Sequence, residues 1–308
     1  MPIPTLKQLR YLVAVADSLH FRRAAEVAHV SQPTLSGQLQ ELEKRLGVRL
    51  VERSRTRVIL TPAGREVVAR ARTVLRDVQE IVELARRGQR PFGGFLRLGV
   101  PPTLGPYLLP HLLPDLHEAY PDLKLYVREE MPQALLHGLE DGGLDLLMFP
   151  LPVASKDLDS ARLFREPLLI AAARDHRLAG KLHAERADLM GETVLALERG
   201  HRLHDQVREL CGEFGADLSL DFEGTSLDTL RQMVGMGMGL AFLPALYVRS
   251  EISGDGEVIV RPMPANPPAR TVGMIWRRNA TRGDDYVVLA DLIRSILRTR
   301  VPEVTVLS

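Results

Sequence analysis

Phe21-Arg22-Arg23-Ala24-Ala25-Glu26-Val27-Ala28-His29-Val30-Ser31-Gln32-Pro33-Thr34-Leu35-Ser36 is the stretch from which the rest of this 308-residue chain can be read. Ser31 stands where an N-cap hydroxyl belongs, and Pro33 fills the first turn, where its missing N–H costs nothing. Leu35, Leu39, Leu42 and Leu46 then recur at helical spacing until Gly47 ends the helix. Upstream, Phe21 to His29 predicts a short helix whose Ala24 and Ala25 let a neighbour approach closely. Before that, Leu6, Leu9, Leu12, Val13, Val15 and Ala16 predict a helix that starts at Thr5 and stops before Ser18. Downstream, Val48-Arg49-Leu50-Val51 and Val58-Ile59-Leu60 read as short strands around the basic turn Arg53 to Arg57. Helices followed by a basic hairpin predict a winged helix-turn-helix over residues 1–61.

The charge distribution agrees. Residues 1–92 hold 17 Lys+Arg against 9 Asp+Glu, while residues 93–308 hold 23 against 30, so the net +1 hides a basic head and a mildly acidic remainder. A basic head suits a polyanion, because neutralising phosphates is the sequence-independent part of nucleic-acid affinity. The first turn of the helix after Ser31 would enter the major groove of double-stranded DNA, with Ser31, Gln32, Pro33, Thr34, Ser36 and Gln38 as its readers. Arg22 and Arg23, and on the wing Arg53, Arg55 and Arg57, are placed for backbone phosphates or, for the wing, the minor groove.

Composition excludes other classes. Hydrophobic residues at 45% and charged residues at 26% are globular values, which leaves no room for wholesale disorder or a collagen-like repeat. No stretch reaches the ~20 apolar residues of a membrane helix, and Met1 to Lys7 carries no export signal, so a cytoplasmic chain is expected. Cys211 is the one cysteine, which forbids an intramolecular disulfide and any paired-thiolate metal site. The nine histidines form no HxH or HxxxH pair, and neither a metal nor another cofactor is expected. Gly235-Met236-Gly237-Met238-Gly239 lacks the Lys and Ser/Thr of a phosphate loop and reads as a helix terminator, with Met233, Met236 and Met238 in the core or lining a cleft.

Thr61-Pro62 repeats the cap-then-proline signal and opens a helix to about Arg87. Val67, Val68, Ala71, Val74, Leu75, Val78, Ile81, Val82 and Leu84 give it a persistent apolar face, so residues 62–88 are expected to dimerise. Residues 89–94, with Pro91, Gly93 and Gly94, read as a hinge. Beyond it, strands at Phe95 to Val100, Leu123 to Arg128 and Leu144 to Phe149 alternate with helices at Pro110 to Tyr120 and Pro132 to Asp141, which predicts a parallel sheet. The pattern continues through a largely β stretch from Arg162 to Ala173, helices at Arg202 to Phe214 and Leu227 to Gly237, an extended Leu240 to Pro244, a strand at Ala269 to Arg277 and a last helix at Asp284 to Arg300. The fold class is α/β, with residues 95–308 forming an effector domain of two lobes. The first lobe spans about 95–164 and 268–300 and the second about 165–267, and a small-effector site is expected between them.

Leu6 to Leu12, Phe21 to Ala25, Ser31 to Ser36, Leu42-Glu43, Leu46-Gly47 and Leu60 to Gly64 together resemble the LysR-type transcriptional regulators. His20 to Ala25, His29 to Gln38, Gly105 to His111 and Thr225 to Arg231 are similar to the peroxide-sensing OxyR branch of that family. The resemblance implies a homodimer or homotetramer on promoter DNA, working with RNA polymerase, with a periplasmic-binding-protein-like effector domain and an oxidant or small-molecule input. That branch carries a reactive cysteine in a Gly-His-Cys-Leu context, where this chain reads Gly200-His201-Arg202-Leu203. The position of its resolving cysteine is Cys211. Thr103, His201 and Asp205 match polar positions around the branch's peroxide pocket, and Pro132 replaces a threonine there. Thr225 completes the effector or redox candidates.

Three inputs stay open at this level. Cys211, close in sequence to His201, Arg202, His204 and Arg208, has a lowered pKa if those cations surround it and then serves as a one-cysteine oxidant switch. Alternatively Arg202 holds an anionic effector non-covalently. A thiol enzyme such as a peroxidase with a DNA-binding head is the third, although no catalytic set accompanies the thiol and a non-enzymatic regulator is expected.

Overall fold

The computed structural model describes residues 3–53, 58–86, 92, 94–252, 256–264 and 267–308. The chain forms two compact units, one drawn chiefly from Met1–Arg90 and the other from Pro91–Leu139 and Leu144–Ser308.

In the first unit every helix start is fixed by a side chain close by in sequence. Thr5 and Gln8 cap each other reciprocally at the start of α1 (Leu6–Ser18), with N–H to oxygen distances of 3.0 and 3.2 Å. His20 caps α2 (Phe21–Val27) by accepting from the Arg23 N–H. Ser31 Oγ accepts from the Thr34 N–H at 3.3 Å to open α3 (Gln32–Leu46), which Gly47 closes at φ 71°. Tyr11, Leu12, Val15, Ala24, Leu35, Leu39 and Leu42 interlock as the core between these helices.

The hairpin differs from expectation at one end. Its strands are β1 (Val51–Arg53) and β2 (Val58–Leu60), paired antiparallel, so the first arm begins three residues later than the sequence suggests. The reason is Glu43, whose Oε1 accepts from the N–H groups of Leu50 at 2.8 Å and Val51 at 3.1 Å and so binds the chain to α3 before a ladder can form. The hairpin turn itself, with Arg55 and Arg57, lies outside the described residues.

Helix α4 (Pro62–Arg86) starts as expected, with Thr61 Oγ1 accepting from the Gly64 N–H at 2.9 Å. Gly64 is obligatory there, since a Cβ would sit 2.0 Å from the Leu50 carbonyl oxygen. Val68 and Ala71 are buried, whereas Val74, Ile81 and Val82 are exposed further along.

The second unit carries β3 (Gly94–Val100), α5 (Gly105–Ala119), β4 (Leu123–Glu129), α6 (Pro132–Glu140), β5 (Leu146–Leu151) and β6 (Leu158–Ala173). There follow β7 (Thr193–Leu197), α7 (Arg202–Phe214), β8 (Asp217–Gly224), α8 (Leu227–Gly235), β9 (Leu240–Pro244) and α9 (Ala245–Glu251). The unit ends with β10 (Val258–Arg261), β11 (Ala269–Arg277), α10 (Gly283–Arg300) and β12 (Thr305–Val306). The strand order is β4-β3-β5-β11-β6-β9-β7-β8, with β10 and β12 also on β6.

The sheet is mixed, not parallel as the alternation predicts. β3 runs parallel to β4 and β5, and β7 to β8 and β9, but β11 is antiparallel to both β5 and β6, and β6 to β9. β6 causes this: its first half, to Pro167, pairs with β11 and its second half, from Leu168, with β9 and β10. A strand that carries the chain from one lobe to the other and a strand that brings it back must run in opposite directions. Each lobe keeps its own core, one around Leu98, Leu112, Met148, Phe164 and Ile293, the other around Ile170, Val194, Val207, Leu230 and Phe242.

Three further departures are local. α5 begins at Gly105, not Pro110, because Pro106 supplies the first-turn proline while Pro110 and Pro114 lie inside the helix. Spaced by four, all three prolines share the exposed face, where solvent takes up the carbonyls left without an N–H partner. β7 and β8 are strands that the periodicity leaves unassigned. Met236 is exposed instead of lining core or cleft. At the hinge, residues 89–91 and 93 lie outside the described residues, but Phe92 is buried between the Tyr120 ring and the Arg282 guanidinium, at 4.7 and 5.2 Å.

Candidate nucleic-acid interface and effector cleft

The cap that starts α3 also decides which polar groups are left over. Ser31 Oγ is occupied by the Thr34 N–H and lies 2.8 Å from the Thr34 hydroxyl, so these two groups hold the turn. Gln32 and Pro33 are exposed beside them, and Ser36 and Gln38 are half-buried. Arg22 and Arg23 are exposed at the start of α2, and Arg22 Nε pairs with Glu26 Oε1 at 3.4 Å. A solvated ion pair of this kind is worth well under 1 kcal/mol and yields readily to a phosphate. The wing candidates Arg55 and Arg57, and the side chain of Arg53, lie outside the described residues.

In the second unit a cleft of about 430 Å³ opens between the lobes. One wall is the Pro150-Leu151-Pro152 segment after β5, another is the start of β11 at Ala269 to Thr271, and the third is a face of α7. That face presents Arg202, Asp205, Gln206 and Glu209, the i, i+3, i+4, i+7 set of one helix side. Two hydrogen bonds cross the cleft from α7: Arg202 donates to the Pro152 carbonyl and Gln206 Nε2 donates to the Ala269 carbonyl at 2.9 Å.

Behind the β11 wall lies a buried polar network. Arg270 Nε donates to Glu166 Oε2 at 2.7 Å, and its other nitrogens donate to Thr103 Oγ1 at 3.1 Å and the Thr103 carbonyl at 2.8 Å. Glu166 is fully buried, and its second oxygen accepts from the Leu246 N–H at 2.9 Å. Every strong group in this set therefore has a partner, as burial demands. His201 precedes α7 and is buried too, and burial holds its pKa below the usual imidazole range, with a smaller opposing pull from Glu198. Its Nε2 has no hydrogen-bond partner.

Cys211 occupies the opposite side of α7. It is nine residues from Arg202, which at 100° per residue is half a turn away and about 13.5 Å along the axis. The thiol packs in the second lobe's core, and its burial, with Asp217 adding to it, pushes its pKa up to about 11. The expectation of a cation-lowered thiol fails for that reason: Arg202 faces the cleft and Arg208 faces solvent, so desolvation outweighs both.

Among the sequence candidates, then, the cleft brings together Arg202 and Asp205, with Thr103 behind its wall and His201 at the α7 start. Cys211 and Thr225 are not in its lining, and Thr225 is exposed just before the Ser226 cap of α8. Sequence reading missed Glu166, Arg270, Gln206 and Glu209. The strands that hold the first two carry other charged residues as well, Arg162 and Arg165 in β6 and Arg277 in β11, so Glu166 and Arg270 did not stand out in the sequence. Among the described residues no group of His, Cys, Asp and Glu could hold a metal ion, and no helix is long and apolar enough to cross a membrane.

A capped recognition-type helix in a basic head, followed by a two-lobed mixed sheet with a cleft, defines a DNA-binding transcriptional regulator with an effector domain. Residues 6–65 match the bacterial regulatory helix-turn-helix protein model of the lysR family, and residues 89–298 match the LysR substrate binding domain. The chain belongs to the LysR family of transcriptional regulators. It is 44% identical to the DNA-binding transcriptional dual regulator OxyR of Escherichia coli over 290 residues, covering 94% of this chain and 95% of that one. It is 35% identical to the HTH-type transcriptional regulator EstR of Acinetobacter baylyi, covering 96% and 98%. Among solved structures, a full-length OxyR variant from Pseudomonas aeruginosa superposes with a TM-score of 0.80 at 40% identity, covering 98% of this chain and 99% of that one.

Proposed function

We propose that this regulator binds promoter DNA as a homodimer or homotetramer and takes its signal, an oxidant or a small effector, non-covalently in the cleft beneath Arg202. The observation that carries this reading is the division of α7: Arg202 lines the cleft, while the chain's one thiol is buried on the other side with its pKa raised. Several relatives are named hydrogen peroxide-inducible genes activators, which supports an oxidant among the inputs. With one cysteine, a disulfide within the chain is impossible.

Residues 1–61 are the DNA-binding head, 62–88 the dimerising linker helix, 89–94 the hinge and 95–308 the effector domain. Ser31, Gln32, Pro33, Thr34, Ser36 and Gln38 meet the major groove, and Arg22, Arg23, Arg53, Arg55 and Arg57 meet phosphates or the minor groove. The exposed Val74, Ile81 and Val82 on α4 support a second copy as its partner. The protein acts in the cytoplasm with RNA polymerase, as a regulator and not as an enzyme.

Promoter footprints of the native chain, Cys211→Ala and Arg202→Ala, with and without hydrogen peroxide and metabolite extracts, test this. Alanine replaces the thiol without burying a hydroxyl. An effector-induced shift in the footprint should persist in Cys211→Ala and vanish in Arg202→Ala, and the reverse pattern would move the input to the thiol. In the same assay Gln32→Ala should relax discrimination among sites, whereas Arg23→Ala should weaken binding to all of them.

A further inference from the structure

We propose that the cleft takes a zwitterion whose carboxylate and ammonium stand several bonds apart, the chemistry shared by short peptides and ω-amino acids. This rests on the cleft being the effector site and adds the class of molecule that fits it. The charges on its walls are not those of a simple anion site. Arg270 is already neutralised by Glu166, so Arg202 is the cation left on the lining. Facing the same space are two carboxylates, Asp205 and Glu209, neither of which forms an ion pair with Arg202. Asp205 Oδ1 lies 3.4 Å from His204 Nδ1, and Glu209 is exposed with no ion pair among the described residues.

The order of these groups along α7 sets the ligand's direction. Arg202 is the first residue of the helix, and the N-cap His201 makes no side-chain cap hydrogen bond, so the positive end of the helix dipole adds to the guanidinium. A carboxylate is favoured at that end. Asp205 and Glu209 follow about 4.5 and about 10.5 Å further along the axis, where an ammonium is favoured. An α-amino acid carries both charges on one carbon and cannot reach from Arg202 to Glu209. A longer zwitterion can, and its stem would lie along Leu151, Pro152, Leu203 and Ala269, the apolar part of the lining.

Isothermal titration of the full chain with ε-aminohexanoate, and separately with leucyl-leucine, tests the class and tells the two sources apart. Each is compared with partners lacking one charge: hexanoate and hexylamine for the first, N-acetyl-leucyl-leucine and leucyl-leucine amide for the second. At least one zwitterion should bind about tenfold tighter than both of its partners. Arg202→Ala should erase its advantage over the amine, and Asp205→Asn with Glu209→Gln its advantage over the carboxylate. All three positions are exposed, and unchanged melting curves would confirm intact folds. If neither zwitterion outbinds both its plain carboxylate and its plain amine, the class is overturned while the cleft stays open as an effector site, and absence of binding by both zwitterions overturns it as well. Gel shifts with promoter DNA, read on the same samples, judge the DNA-binding reading independently.

Discussion

The two units are held together over very different distances along the chain. In the head, the bonds that set the helices join residues three apart: Thr5 to Gln8, Ser31 to Thr34, Thr61 to Gly64. In the effector unit the central polar contacts join Glu166 to Arg270, 104 residues apart, and Thr103 to Arg270, 167 apart. The head can therefore assemble from local choices, whereas the effector unit must close long loops before its buried charges find each other. Local bonds are individually replaceable, and a buried network is not, since removing one member strands the others without solvent.

Three substitutions and titrations probe that difference, in falling order of effect. Arg270→Ala leaves the fully buried Glu166 without its ion-pair partner, and should cost the effector unit about 3–5 kcal/mol in denaturant unfolding. A loss below about 1 kcal/mol would show that the network is incidental. The second concerns Cys211, whose thiol is raised to about 11 in the fold. The unfolded chain ionises first, so the stabilisation is complete below the ordinary thiol range and is lost as pH rises towards about 11. Unfolding free energies measured across that window should fall by up to about 2 kcal/mol for the native chain and stay flatter for Cys211→Ala. Thiol alkylation near neutral pH should be correspondingly slow, and fast labelling of the folded protein would contradict the burial. Smallest is Thr61→Ala, which removes one cap and should cost about 1 kcal/mol, seen as an earlier melt of the head alone.

The same contrast explains what could be read from the sequence. Ser31, Pro33 and Gly47 announce α3 because caps and terminators act on their immediate neighbours, and Thr61-Pro62 announces α4 in the same way. Pro110 misled the reading of α5, since a proline reports only that its own N–H is missing and not whether its face is solvated. Sheet direction was hidden because it depends on β6 serving two lobes. At the cleft, Arg202 and Asp205 were legible through resemblance, but Arg270 and Glu166 acquire meaning only when the chain brings them together. Proximity in sequence even misassigned Cys211, as a separation of nine residues on a helix places Arg202 on the far side of the axis.

β6 runs as one continuous strand through both lobes, giving its first half to β11 and its second to β9 and β10. The lobes are consequently two ends of one plank, and not beads on a string. Any opening of the cleft must be taken up as flexure of that plank and its partners, which limits travel and makes the response springlike. It also means that the second lobe cannot be transplanted into another regulator as a cassette without sawing through the plank that carries it.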